Sequence, residues 1–199
     1  VPCIAKEWGT EDGGLTWTFK LRDNVKWVDV NGNEKAACNA QDFATGLEWV
    51  LNFHKNDSSN TSMPLEMIKG ASEYYEYTKS LSKEEAYALN AGEGSKFREM
   101  VGLETPDDYT VVCHLSNPYS PFMLGVCQVN IASKDYYDSS ADEFTTNPVG
   151  SGPYKYTGRS KGSNITLEAY DGYYRGEAPI KEVKFEVIPD QSTTAIALQ

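Results

Sequence analysis

Histidine, basic charge and long apolar runs are all scarce in this chain of 199 residues. It has two histidines, and its 18 lysines and arginines stand against 29 acidic residues, giving a formal net charge of −11. Nucleic acids and anionic membrane surfaces both require clustered basic residues, so neither is an expected partner. No apolar stretch approaches the ~20 residues of a membrane-spanning helix. The acidic balance is typical of a solvated protein surface.

The four cysteines, Cys3, Cys38, Cys113 and Cys127, show neither CxxC spacing nor a paired histidine pattern, which argues against a zinc site. An extracellular location would permit disulfides. Cys3 and Cys113, however, lie inside strand-like apolar runs, where buried free thiols are the more common outcome. We therefore expect free thiols, with Cys113–Cys127 as the first pair to test for a disulfide.

No constellation of catalytic residues emerges from the sequence. Ser151 lies between two glycines, but the GxSxG elbow of hydrolases has a spacer on each side of the serine. His54 is expected at the end of a helix and His114 in a strand. Residues 29–33 (DVNGN) faintly resemble a calcium loop, yet the glycine falls at the fourth position instead of the sixth. The sequence thus predicts a protein that is not an enzyme and holds no metal or cofactor.

The clearest secondary-structure signal lies in residues 14–27. Trp17, Phe19 and Leu21 alternate with polar residues, as in a strand with one face on a core. Helices are predicted at 40–51 after an N-cap at Asn39, from Ser62 through Tyr77, and after a capping box at Ser82 and Glu85. Further predictions are a turn at 31–33, a hairpin around 106–108, a short buried helix at 118–127, and strands at 154–157, 165–170 and 183–188, the last with Val183, Phe185 and Val187 facing inward. The pattern indicates an α/β or α+β fold.

Four groups of residues occur in one order along the chain and together resemble a known family. They are Ala5 and Trp8 followed by residues 16–27 (TWTFKLRDNVKW); residues 39–43 (NAQDF); residues 147–154 (NPVGSGPY), with Ser151 in place of the usual threonine; and residues 165–168 (ITLE), 173–176 (YYRG) and 180–190 (IKEVKFEVIPD). In this order they resemble the family-5 extracellular solute-binding proteins, which are peptide- and nickel-binding receptors of ABC importers.

This resemblance implies a mixed α/β fold, the N-terminal lobe of a type II periplasmic-binding-protein-like receptor. The expected lobe has a discontinuous mixed sheet from residues 1–38 and 147–199, with an inserted helical and strand subdomain at residues 39–146. Members of the family are longer, so we expect the chain to be the N-terminal part of a receptor whose export signal lies upstream. The expected location is the bacterial cell envelope, either periplasmic or as an extracellular lipoprotein at the cell surface.

The resemblance also implies a function and candidate contacts. We expect the protein to bind oligopeptides as a monomer and to deliver them, by lobe closure, to an ABC permease and its ATPase. Candidate ligand-binding residues are Tyr119, Phe122, Gln128 and Asn130, and the loop at residues 60–64 is a further candidate. Val129 stands where nickel-binding members have a ligand-facing arginine, which disfavours a nickel chelate. The alternatives are a peptide sensor or surface binding module that is not coupled to transport and, less favoured, a nickel-chelate or oligosaccharide receptor.

Overall fold

The computed structural model describes residues 3–56, 67–126 and 147–190. Its strands are β1 (Ala5–Gly9), β2 (Thr16–Leu21), β3 (Lys26–Val28), β4 (Glu34–Ala37), β5 (Leu103–Asp107), β6 (Thr110–His114), β7 (Tyr154–Ser160), β8 (Asn164–Ala169) and β9 (Glu182–Glu186). Its helices are α1 (Ala40–Leu51), α2 (Ala71–Lys79), α3 (Lys83–Tyr87), α4 (Lys96–Met100) and α5 (Phe122–Val126). The first of two units comprises the described residues of Val1–Asp23 and Cys38–Asp138; the second comprises those of Asn24–Ala37 and Ser139–Gln199.

The first unit is built on an antiparallel sheet of four strands in the order β1-β2-β6-β5. Strand β2 lies inside this sheet and has the predicted alternation, since Phe19 and Leu21 are buried and Lys20 is exposed. The hairpin β5–β6 also follows the prediction: Val111 and Cys113 are buried on one face, and Val112 faces the other way. The apolar face of the sheet therefore contributes directly to the core.

Helix α1 covers part of that core because its apolar residues recur at helical spacing. Phe43, Ala44, Leu47 and Leu51 are all buried. The predicted capping box starts the helix: the side chain of Asn39 accepts from backbone N–H groups of the first turn, and Asp42 accepts from the N–H of Asn39. The second predicted box, Ser82 with Glu85, starts α3 in the same way.

A buried polar cluster joins three helical segments of the first unit. Glu48 of α1 accepts hydrogen bonds from the phenol of Tyr74 at 2.8 Å and from the amide of Asn52 at 2.9 Å, and it pairs with Lys55 at 2.8 Å. Asn52 also donates to the carbonyl of Ala86 in α3 at 2.9 Å. Burial and the adjacent Glu48 carboxylate raise the pKa of Tyr74, so the phenol remains a donor. These partners provide the buried carboxylate of Glu48 with hydrogen bonds and an opposite charge, which offset the free-energy cost of removing it from water.

The second unit contains a hairpin and an antiparallel sheet of three strands in the order β7-β8-β9. The hairpin β3–β4 turns at the predicted place, and Val28 forms a bridge with Gly150. In its loop, the buried carboxylate of Asp29 accepts from the backbone N–H groups of Asn31 and Asn33 and pairs with Lys35 at 3.0 Å. These bonds fix the loop locally.

The strand pairings divide the chain differently from the expected boundaries at residues 38 and 147. β2 pairs with β6, not with the C-terminal strands, so the described residues up to Asp23 group with the helical unit and only 24–37 group with the C-terminal strands. The alternation of β9 is present, but Phe185 and Val187 are 57% and 54% exposed, which corrects the inward placement predicted for them. Val183, the first of the three residues, is half-buried.

The described cysteines agree with the prediction of free thiols. Cys38 and Cys113 are buried and form no disulfide. Cys3 is exposed, which corrects the burial predicted for it. Cys127 lies outside the described residues, and Cys113, the described member of the pair that was to be tested for a disulfide, is a free thiol in this structure. Burial raises the pKa of the Cys113 thiol to about 12, and burial with the nearby Asp42 charge does the same for Cys38. Both thiols therefore hold little reactive thiolate at neutral pH.

Candidate functional site

The segment that leads into α5 lies against the turn before β2. Gly14 has a φ of +100°, and a Cβ added there would lie 3.7 Å from the backbone nitrogen of Tyr119. The indole of Trp17 donates to the carbonyl of Gly14 at 3.2 Å, which holds the turn. Tyr119 then accepts from the N–H of Phe122 at 3.2 Å. A glycine turn and a tryptophan thus position two of the four predicted contact residues.

These two residues have different environments. The side chain of Phe122 is 1% exposed, and its ring lies 5.8 Å from Trp17 and 6.3 Å from Phe19, measured between ring centroids. Tyr119 is 37% exposed. In this structure Phe122 is a core residue that anchors the segment, because a buried ring offers no surface to a solute. Of this pair, only Tyr119 is accessible for contact.

Leu124 is an exposed apolar residue that the sequence analysis missed. It is 68% exposed, whereas Phe122 and Gly125 of the same short helix are buried. The signal was available in the spacing: Phe122 and Gly125 are three residues apart and share the core face, which turns Leu124 outward. The segment predicted as a short buried helix therefore has an outer face with Leu124 on it.

Gln128, Asn130 and the loop at residues 60–64 lie outside the described residues, as does Val129. Their assignment as ligand contacts stays a prediction. In sequence, Gln128 follows the last residue of α5 by two positions, so the described part of the candidate site is the outer face of the segment from Tyr119 to Leu124.

A polar network on the outer face of the first sheet resembles a catalytic relay in composition. Nδ1 of His114 lies 3.3 Å from the hydroxyl of Thr16, and its Nε2 lies 3.0 Å from Glu104. The N–H groups of Leu15 and Thr16, beside that hydroxyl, already donate to Asp12 and are not available to an oxyanion. The arrangement fits a solvent-exposed cross-strand network that stabilises the sheet.

The other histidine is used in the fold, because Nε2 of His54 lies 3.0 Å from the carbonyl oxygen of Leu81. Among the described residues, no group of three or more histidine, cysteine or acidic side chains could hold a metal ion. No helix in the described ranges is long and apolar enough to cross a membrane.

Comparison with known proteins gives a match along the whole chain. The family model described as bacterial extracellular solute-binding proteins, family 5 Middle, matches residues 1–199. The dipeptide-binding protein of Escherichia coli (strain K12) is 30% identical over 209 residues, covering 100% of this chain and 34% of its relative. Heme-binding protein A of Haemophilus influenzae is 26% identical over 206 residues, again with 100% and 34% coverage.

A solved structure shows the same fold. The ABC transporter-associated periplasmic binding protein DppA from Helicobacter pylori, in complex with the peptide STSA, is 26% identical with a TM-score of 0.71. It covers 99% of this chain, which spans 36% of the H. pylori protein. The expected fold class, a mixed α/β part of a type II periplasmic-binding-protein-like receptor, is confirmed. The chain spans about a third of the length of these relatives.

Proposed function

Because the chain belongs to family 5 of the bacterial extracellular solute-binding proteins, we propose that it is part of an ABC-importer receptor whose solute is an oligopeptide. The observation that carries the proposal is the similarity to peptide receptors over the whole chain: 30% identity to a dipeptide-binding protein and 26% identity to a receptor solved with a peptide. Both relatives span much more sequence than this chain, so the activity of the complete receptor remains part of the proposal.

The chemistry of the candidate site suits a peptide. Tyr119 and Leu124 present exposed aromatic and aliphatic surface, which tolerates varied side chains. Gln128 and Asn130 each carry an amide with two donors and an acceptor, the complement of a peptide backbone. None of the four brings a charge, so discrimination by solute charge would have to come from other residues.

The proposed mechanism is capture without covalent chemistry. A receptor of two lobes closes on the solute by hinge motion, and the closed form delivers it to a permease driven by an ATPase. The site of action is outside the cytoplasmic membrane, in the periplasm or at the cell surface as a lipoprotein. The receptor acts as a monomer.

A second candidate solute has its own observation: one relative, equally covered by this chain, is a haem-binding protein. Haem offers a large apolar ring with carboxylates, whereas a peptide offers a ladder of amides. The exposed Tyr119 and Leu124 fit either solute, but the amides of Gln128 and Asn130 favour the peptide.

Thermal shift of the intact receptor tests the proposal. The panel comprises dipeptides to octapeptides, nickel chelates, oligosaccharides and haem. A solute held at 100 times its dissociation constant should stabilise the folded receptor by ~2.7 kcal/mol, which is a readable shift. A shift with peptides supports the assignment. A shift with haem, sugars or chelates alone keeps the receptor and overturns the peptide assignment. No shift with any solute overturns the peptide assignment as well and favours a surface binding module, since a peptide sensor would also be stabilised by peptides.

A further inference from the structure

The three-stranded sheet of the second unit has two faces of opposite character. Residues that lie directly opposite each other in an antiparallel sheet have their side chains on the same face. The strand pairing therefore gives the sheet an apolar face, formed by Tyr154, Tyr156, Ile165, Leu167, Val183 and Phe185. The other face carries the charged residues Lys155, Glu168, Glu182, Lys184 and Glu186. This division is typical of an antiparallel sheet with one face packed against protein and the other in water.

One end of the apolar face is partly covered within the second unit. Tyr154, Tyr156 and Leu167 are half-buried. Together with Val28 and Val149 they line a cavity of about 150 Å³. Packing at this end is therefore present but incomplete.

The far end of the apolar face is open to water. Ile165 and Phe185 lie opposite each other and are 37% and 57% exposed, and Val187, just beyond β9, is 54% exposed. Arg159, opposite Ile165 on the edge strand β7, is the only charged residue that the three strands place on this face. Its aliphatic stem can extend an apolar contact while the guanidinium stays in water. A group of large apolar side chains exposed together marks a surface on which other protein packs.

The length of the related receptors indicates which protein that is. The chain spans 34% of the dipeptide-binding relative and 36% of the H. pylori receptor, so about two thirds of a receptor of that length lies outside these 199 residues. A longer chain buries a larger fraction of its surface. A segment of the same polypeptide also avoids the loss of translational and rotational freedom that a second molecule would incur on binding.

We propose that the far end of the apolar face, at Ile165 and Phe185, is the surface on which an apolar segment of the same receptor, from outside residues 1–199, packs. The segment presents aliphatic or aromatic side chains to Phe185, because the single charge on this face, that of Arg159, lies on the edge strand. The inference rests on the part of the proposed function that makes the chain a portion of a longer receptor. It does not depend on which solute the receptor takes.

Cysteine labelling of the intact receptor tests whether the face is covered. Phe185→Cys and Lys184→Cys change neighbouring positions of β9 on opposite faces, where the native residues have similar exposure, 57% for Phe185 and 48% for the side chain of Lys184. Mass spectrometry gives each labelling rate relative to that of the same variant unfolded in denaturant. Phe185→Cys should be labelled about tenfold more slowly than Lys184→Cys or slower still, because the reagent must wait for the covering segment to open. Equal rates would overturn the proposal.

Hydroxyl-radical footprinting reads the same surface without any substitution. In the intact receptor, oxidation of Phe185 should be strongly reduced relative to the unfolded receptor, since the covering segment excludes water from the ring. Oxidation of Phe185 at close to the unfolded rate would overturn the proposal even if the cysteine variants failed to fold.

Photocross-linking identifies the occupant. The intact receptor carries p-benzoylphenylalanine in place of Phe185, and the matched variant carries it in place of Lys184. Position 185 should cross-link within one polypeptide to a peptide from outside residues 1–199, and position 184 should not reach that peptide. A cross-link between two copies, a cross-link to a peptide within residues 1–199, or none at position 185 would overturn the proposal. These measurements need no solute, so their failure leaves the peptide assignment standing, and failure of the solute panel leaves this surface unaffected.

Discussion

The phenol of Tyr74 donates a hydrogen bond of 2.8 Å to Oε1 of Glu48, and both side chains are almost completely buried. One belongs to α2 and the other to α1, which lie far apart in the sequence. The bond makes a carboxylate acceptable inside the first unit, where Lys55 is its only ionic partner among the described residues. The bond links the two helices directly through buried side chains.

Changing Tyr74→Phe should destabilise the chain by about 1.5–3 kcal/mol, because Glu48 then loses a donor without gaining water. Tyr87→Phe is the matched control, since Tyr87 is 45% exposed, and it should cost about 0.5 kcal/mol or less. The measurement is the midpoint of urea unfolding. If the two changes have equal effects, the buried hydrogen bond contributes no more to stability than an exposed hydroxyl does.

Gly70 should tolerate no side chain. It has a φ of +75°, and an added Cβ would lie 1.8 Å from the carbonyl oxygen of Met100. Gly94 has a similar φ of +71° with open space around it, so Gly94→Ala isolates the backbone strain, about 1–2 kcal/mol. Gly70→Ala should cost clearly more in the same unfolding assay, because a backbone atom must move as well. If Gly70→Ala costs no more than Gly94→Ala, the backbone around Met100 can move away from the added Cβ without a loss of stability.

Acid should selectively weaken the β3–β4 loop. Desolvation by itself raises the pKa of Asp29, but hydrogen bonds from Asn33, Lys35 and Asn31 outweigh it and hold the pKa well below the ordinary value of 3.8. The carboxylate therefore stabilises the folded state fully above that value, and this contribution declines as the pH falls below it. In thermal unfolding, wild type should have a higher midpoint temperature than Asp29→Asn at neutral pH. The difference between the two midpoints should become smaller below about pH 4. If the difference in free energy of unfolding between wild type and Asp29→Asn stays constant to within about 0.3 kcal/mol down to pH 2.5, the assignment is contradicted.

Thiol labelling should separate the cysteines by burial. In a Cys127→Ser background, a disulfide reagent at neutral pH should modify the exposed Cys3 quickly and leave Cys38 and Cys113 unmodified. Burial raises the pKa of both inner thiols to about 12, so they hold little of the reactive thiolate. Unfolding in denaturant should make both inner thiols accessible to the reagent. Mass spectrometry of the labelled peptides reads the outcome, and rapid native labelling of Cys113 would place it outside the core.

Solute affinity should depend on the outer face of the α5 segment. In the intact receptor, Tyr119→Ala and Gln128→Ala with Asn130→Ala should each weaken peptide binding by about tenfold, which corresponds to 1.4 kcal/mol. Tyr87→Ala removes a comparably exposed aromatic residue elsewhere and should not change the affinity. Isothermal titration supplies the dissociation constants. Unchanged affinity in both contact-site variants, with peptide binding intact in wild type, would move the contact site to other residues.

The local elements were predictable because their causes are local. The capping boxes of Asn39 with Asp42 and of Ser82 with Glu85 act over three residues, and the structure confirms both. The alternation of Phe19 and Leu21 defined a strand because side chains change face at every residue. The order of the sequence motifs indicated the family, which the match over residues 1–199 confirms.

The amino-acid sequence by itself determined where the capped helices α1 and α3 begin, which faces of β2 and β6 are apolar and which family the chain belongs to. Only the tertiary structure decided that β2 pairs with β6, because an alternating pattern specifies a face and leaves the neighbouring strand open. It also decided that Phe122 anchors the core while Tyr119 faces outward, and that Glu48 is buried beside Tyr74. These relations join residues from separate elements, and long-range packing, which no local pattern encodes, brings them together.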